Sequence, residues 1–138
     1  MNVTINWFAL LSCVVAAASV GFVWYGPLFG SLWAKLSGLK EKDLQKDMMT
    51  PMGIMLGLSF VQAFALRHFI VFAEKFYPNY SSLAVGLLTA WWAWLGFVFC
   101  AMTIAYAFGR KPWSLIIIDT FYQLVTLLLF GTILSLWV

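Results

Sequence analysis

The chain has 138 residues, 64% of them hydrophobic and 9% charged, with a mean hydropathy of +0.94 and a net charge of +3. Soluble domains carry about a quarter charged residues, and a domain this small still exposes about 30% of its unfolded surface, more than the polar residues here can cover. That excludes a disordered chain, argues against a water-soluble globule and points to membrane, where about 20 apolar residues per span leave room for four spans.

The first span reads Ile5 to about Tyr25, with Trp7 and Trp24-Tyr25 placed as interfacial aromatics. Met1 to Asn6 hold no Lys or Arg, so a secretory n-region is not expected. Gly26-Pro27 should turn the chain, because Pro27 lacks a donor and biases Gly26 away from helix. Leu28, Leu32 and Leu36 then share a helical face beside Trp33 in a stretch too short to span, read as a helix lying in the cytoplasmic interface. The charged run SGLKEKDLQKD that follows reads as a solvated short helix.

Thr50-Pro51 looks like a helix start, with Thr50 as N-cap and Pro51 at the first helical position. The second span runs from about 51 to 73, the third from about 83 to 108, and the fourth from about 113 to 137. Six of the eight cations (Lys35, Lys40, Lys42, Lys46, Arg110 and Lys111) fall on the two loops that share one side. The Lys/Arg bias of short loops makes that side cytoplasmic and puts both termini outside. The expected fold is thus an all-α integral membrane four-helix transmembrane bundle, one domain over residues 1–138, with a short interfacial helix after the first span.

Close helix approach in lipid favours small residues, and three pairs qualify: Ala17 with Gly21, Gly53 with Gly57, and Gly86 with Ala90. Each can seat a neighbouring helix or a second subunit. A homo-oligomer is expected because four short helices enclose little interior alone. YGPLFGSLW after span one also faintly echoes FGRKPWSLI after span three, as two related hairpins would.

Asp119 is the most unusual residue, a carboxylate roughly 10 Å into the membrane at 1.5 Å per residue. It should face the interior and find donors, because a charge at the centre of a span costs about 2.5 to 3.5 kcal/mol on insertion scales. Tyr122, Gln123 and Thr126 follow it on one helical face. Gln62 and Gln123 each lie eleven residues past a proline, at Pro51 and Pro112, so both fall near the midplane. There their amides can bond each other across helices two and four, as lining or as ordinary glue. Ser19, Ser59 and Thr103 fall near the Asp119 level. Two readings stay open: a proton or cation site, and an Asp capped by Ser, Thr or backbone donors that fixes packing.

Arg67 should snorkel to the outer interface, with Glu74 on the same face completing a local charge network. His68 reads as interfacial, since a lone histidine makes no metal site. Trp91 and Trp94 share a face and either line a pocket for a lipid tail, ring or organic cation, or simply fill space. Cys13 and Cys100 lie inside apolar runs, with no metal or disulfide spacing. No catalytic constellation, phosphate loop or carboxylate pair appears, so neither enzyme activity nor a cofactor is expected. Nor does the charge pattern suit nucleic acid.

A family likeness emerges from Asn6-Trp7, from Gly21-Phe22-x-Trp24-Tyr25-Gly26-Pro27-Leu28-Phe29-Gly30-x-x-Trp33, and from Trp94-Leu95-Gly96-Phe97. Phe108-Gly109-Arg110-Lys111-Pro112-Trp113 and Ile118-Asp119-x-x-Tyr122 extend it through the second half. These segments resemble a bacterial membrane-protein family, domain of unknown function 1761, over essentially the whole chain. The resemblance implies a small four-span inner-membrane protein and carries over no reaction or site residue. The functional expectation is a permeation or transport unit for a small solute, proton or ion, using Asp119 as the ionisable site with Gln62 and Gln123 lining the path. Its alternative is a non-transporting subunit that binds a lipid or hydrophobic small molecule or scaffolds a partner.

Overall fold

A computed structural model describes residues 3–137, apart from the side chains at positions 41 and 44. The reading of Met1 and Asn2, and of the charge at Glu41, lies outside that description. The described chain is all helical, and four of its helices are long and apolar enough to cross a membrane. They are α1 (Trp7–Leu28), α4 (Met49–Phe76), α5 (Ser82–Phe108) and α6 (Trp113–Leu136). The short helices α2 (Gly30–Ser37) and α3 (Glu41–Lys46) lie between α1 and α4. Both basic connections lie at one end of the bundle, called here the basic end.

Local signals set the helix ends. Asn6 caps α1 by accepting from the N–H groups of Phe8 and Ala9 at 3.1 and 3.3 Å. At α4 the expected start is corrected: the helix begins at Met49, and Asp47, not Thr50, supplies the capping oxygen. The Asp47 carboxylate accepts from the backbone N–H groups of Met49 and Thr50 at 3.1 and 3.2 Å. Hydrogen bonds from the Thr50 side chain and backbone hold its pKa below the ordinary carboxylate value. Pro51 still sits in the first turn, where its missing N–H costs nothing. α5 ends on a Schellman turn, in which Arg110 adopts φ 53° and the Lys111 N–H donates to the Tyr106 carbonyl at 2.9 Å. The left-handed position that glycine usually takes therefore falls on Arg110, one residue after Gly109.

Pro27 does not turn the chain as expected. α1 absorbs it in a π-helical stretch, Trp24–Leu28, closed by the Phe29 N–H on the Trp24 carbonyl at 2.9 Å. The wider turn accommodates the residue that cannot donate. α5 carries a second π-helical stretch, Trp94–Phe99, without any proline.

α6 is the central helix: 56% of its apolar stretch is buried, against 22–28% in the other three. Leu10, Cys13, Ala63, Leu66, Leu127 and Phe130 form the heart of the core with it. It crosses α5 in backbone contact. A Cβ placed on Gly86 would lie 2.6 Å from the Gly131 carbonyl oxygen, and one on Gly131 would lie 2.6 Å from that of Gly86. Of the three small-residue pairs, Gly86 and Ala90 thus serve α6, and Ala17 and Gly21 meet Tyr122. Gly53 and Gly57 face open space.

The two hairpins, α1 with α4 and α5 with α6, repeat one pattern in a register different from the expected echo. Trp24-x-Gly26-x-x-Phe29 recurs as Trp94-x-Gly96-x-x-Phe99, and each motif begins a π-helical stretch. Pro51, Ser59, Phe60, Gln62 and Leu66 recur in step as Pro112, Thr120, Phe121, Gln123 and Leu127. α4 and α6 consequently run in the same direction, with Gln62 and Gln123 facing each other at the seam.

Candidate functional site

Asp119 lies two turns into α6 from the basic end and is 7% exposed. The Tyr25 hydroxyl, from the π-helical end of α1, donates to its Oδ1 at 2.7 Å. The Tyr106 hydroxyl, from the last turn of α5, donates to its Oδ2 at 2.9 Å. One phenol on each oxygen satisfies the ionised form, which can only accept. Three spans meet on one side chain.

Two indoles fix the backbone on either side of that carboxylate. Trp24 Nε1 donates to the Ile118 carbonyl at 3.1 Å, and Trp94 Nε1 donates to the Thr120 carbonyl at 2.7 Å. Both tryptophans open the π-helical stretches, so each irregular turn delivers one donor to α6. Such turns recur at working sites because they re-aim side chains without ending the helix. The Tyr25 ring is held edge-on between Trp33 of α2, at 5.5 Å, and Tyr122 of α6, at 5.1 Å. α2 therefore packs beneath the site from the basic end.

Of the stripe expected to accompany Asp119, none bonds to it. Tyr122 turns its hydroxyl to the Ala17 carbonyl of α1 at 3.2 Å. Gln123 instead accepts from Gln62 across the seam, Nε2 to Oε1 at 3.3 Å, the pairing that equal depth predicted. Thr126 is buried, and its hydroxyl has no partner among the described residues. Ser19 is exposed and bonds its own helix at the Val15 carbonyl; among the described residues the Thr103 hydroxyl has no partner, and Ser59 reaches only the Met55 sulfur, at 3.7 Å. The donors to Asp119 are tyrosines, not the Ser, Thr or backbone groups considered from sequence.

Sequence reasoning missed Tyr25 and Tyr106. Tyr25 reads as an interfacial aromatic until the π-helical turn swings it inward. Tyr106 carried a usable signal, since it precedes Pro112 by six residues and Asp119 follows it by seven, so the two share a depth on antiparallel helices.

Beyond Tyr122, a groove of about 670 Å³ runs between α4 and α6, with Ser59, Gln62, Gln123 and Thr126 among its polar borders. A second groove of about 440 Å³ lies between α4 and α5 towards the far end and is lined by Phe69, Tyr77, Tyr80, Trp92 and Phe97. Of the two readings of the tryptophans, space filling describes Trp94 and Trp91. Trp94 is buried against Phe99 and Phe121, Trp91 packs on it at 5.3 Å, and Trp92 is the residue that lines the groove.

Arg67 also departs from expectation. It is 5% exposed and turns inward, with Nη1 on the Leu134 carbonyl at 3.1 Å and Nε on the Thr4 carbonyl at 3.4 Å. The Leu134 carbonyl in the last turn of α6 and the Thr4 carbonyl ahead of α1 take its donors in place of the interface. Glu74 accepts from Ser82 instead, and the one salt bridge among the described residues is Lys46 with Asp43, at 3.8 Å. His68 Nδ1 lies 2.8 Å from the Phe64 carbonyl, and its ring packs on Phe64.

A four-span helical bundle with a phenol-held carboxylate inside is the class that fold and site define. The chain belongs to the family described as Protein of unknown function (DUF1761), whose profile matches residues 8–135, nearly its whole length. Neither a curated protein nor a solved structure matches it.

Proposed function

We propose that the protein is a proton- or ion-linked permeation unit for a small solute, with Asp119 as its ionisable group. The observation that carries this reading is the set of hydroxyls from α1 and α5 on one buried carboxylate. Neutralising Asp119 changes hydrogen bonds to both neighbouring spans at once, so a charge change at one atom group can shift their packing. Intramembrane acids are enriched at such sites because their cost is otherwise unrewarded.

In this reading the basic end faces the cytoplasm of a bacterial inner membrane and both termini lie outside, following the Lys/Arg bias of the two loops. The far half of the interior is filled by Leu124, Leu127, Phe130 and Leu134. A path across the membrane therefore runs between copies, and the working form is a homo-oligomer. No enzymatic step is required.

The test is proton influx into pyranine-loaded proteoliposomes under an imposed membrane potential. Asp119→Asn is expected to lower influx to that of protein-free vesicles, while wild-type flux retained in this variant would reject the role. A second reading, a non-transporting subunit that holds a lipid, is supported by the aromatic groove beside Trp92. Lipid that co-purifies with the protein, together with flux indifferent to Asp119, would favour it.

A further inference from the structure

The groove between α4 and α6 is the seam of the internal repeat, and it lies apart from the Asp119 cluster. We infer that this seam binds an uncharged, lipid-soluble molecule through a carbonyl acceptor, as an ester-bearing neutral lipid would present.

Three observations converge on that class. The first is charge. The walls combine the apolar Ile54, Leu58 and Val61 with Ser59, Gln62, Gln123 and Thr126, and none of the bordering residues is ionisable except Tyr122. Leu58 occupies the position that Asp119 holds in the other hairpin, so the acid is present on one side of the repeat only. An ionic ligand at that depth has no counter-charge, and a neutral one needs none.

The second is an excess of donors. Ser12, Ser19, Thr89, Thr120, Thr132 and Ser135 all return their hydroxyls to the carbonyl four residues back. Thr126 does not, but its hydroxyl, like that of Thr103, is fully buried and out of reach of a ligand in the groove, so the donors that serve the seam are those of the glutamines. Gln123 spends its oxygen on Gln62 and keeps its amide N–H groups without a partner among the described residues. Donors unpaired in hydrocarbon are costly, and a carbonyl supplied from the lipid phase offsets that cost.

The third is position. The paired glutamines lie near the middle of their spans, at the interface between two repeats, where membrane proteins built from repeats commonly hold their ligands. About 670 Å³ accommodates the glycerol region and upper chains of such a lipid.

The experiment reconstitutes the full chain in phosphatidylcholine vesicles doped with a diazirine-tagged diacylglycerol. Photolabelled residues are then mapped by mass spectrometry. Label is expected on the groove segments, residues 51–65 and 122–126, and unlabelled dioleoylglycerol should compete for it where hexadecane does not. Gln62→Leu combined with Gln123→Leu removes the amide donors from both sides of the seam at similar volume and should lower specific labelling about tenfold. Val61→Trp, on the exposed lip of the groove, should block labelling while leaving those donors in place. Label spread evenly over the lipid-facing surface, competition by hexadecane, or wild-type labelling in the variants would overturn the inference. If the double variant does not fold, Val61→Trp decides alone. Because binding is read without flux, loss of the seam and loss of the Asp119 role are separate outcomes.

Discussion

An ionised carboxylate inside a span costs about 2.5 to 3.5 kcal/mol on insertion scales before any partner is found. Asp119 meets that cost with two phenols, and neither donor is adjacent to it in sequence. Hydrogen bonds inside membranes average about 0.6 kcal/mol and reach about 1.7, with charged acceptors at the upper end. Tyr25→Phe and Tyr106→Phe are therefore each expected to lower stability by about 1 kcal/mol, read from unfolding in mixed micelles. Tyr25→Phe should cost less in an Asp119→Asn background, because the charged acceptor is already gone. Strict additivity of the two changes would show that the Tyr25 hydrogen bond contributes nothing. The acid itself was legible in the sequence as the single deep charge that no interface excuses. Its partners were less so, because a tyrosine beside a predicted span end reads equally well as an interfacial anchor.

At the scale of the elements, α5 and α6 touch backbone to backbone, and lipid-exposed α4 supplies the contrast. Gly86→Ala inserts a methyl group 2.6 Å from the Gly131 carbonyl oxygen, so the helices must separate. Forced overpacking of this kind costs about 1 to 3 kcal/mol. Gly53→Ala adds the same methyl group to open space and should change stability by less than about 0.5 kcal/mol. Thermal unfolding of the two variants side by side checks the difference, and equal losses would place the tight crossing elsewhere. In sequence the two glycines look alike, each heading a small-x-x-x-small pair, because helix-facing and lipid-facing glycine carry the same apolar surroundings. The four spans were legible from length and hydropathy. The π-helical turns were not: Pro27 signals one of them, and the Trp-x-Gly motif gains meaning only when both copies are seen to open a π-helical stretch.

Across the whole molecule, the two deep charges sit at opposite ends of the bundle, and neither forms a salt bridge among the described residues. Asp119 gathers α1 and α5 onto α6 at the basic end, while Arg67 joins α4 to both chain ends at the far side. Snorkelling was the wrong direction for Arg67, because the Leu134 and Thr4 carbonyls lie within reach of its guanidinium inside the bundle. Leu134 is in the last turn of α6, where the carbonyls lack internal donors and the helix dipole favours a cation. The Thr4 carbonyl precedes the Asn6 cap of α1 and needs a donor for the same reason. Arg67→Met keeps an apolar stem for packing yet removes both donations, each worth about 0.6 to 1.7 kcal/mol inside a membrane. The expected result is faster amide hydrogen exchange at the start of α1 and the last turn of α6, with protection around Asp119 unchanged. Arg67→Lys should recover only part of that protection, because a point charge cannot reach two carbonyls as a fork does. If Arg67→Met leaves exchange at both ends unaltered, the guanidinium is a passenger there. If protection falls equally along all four spans, Arg67 holds the whole bundle and the two ends are not separate cooperative units.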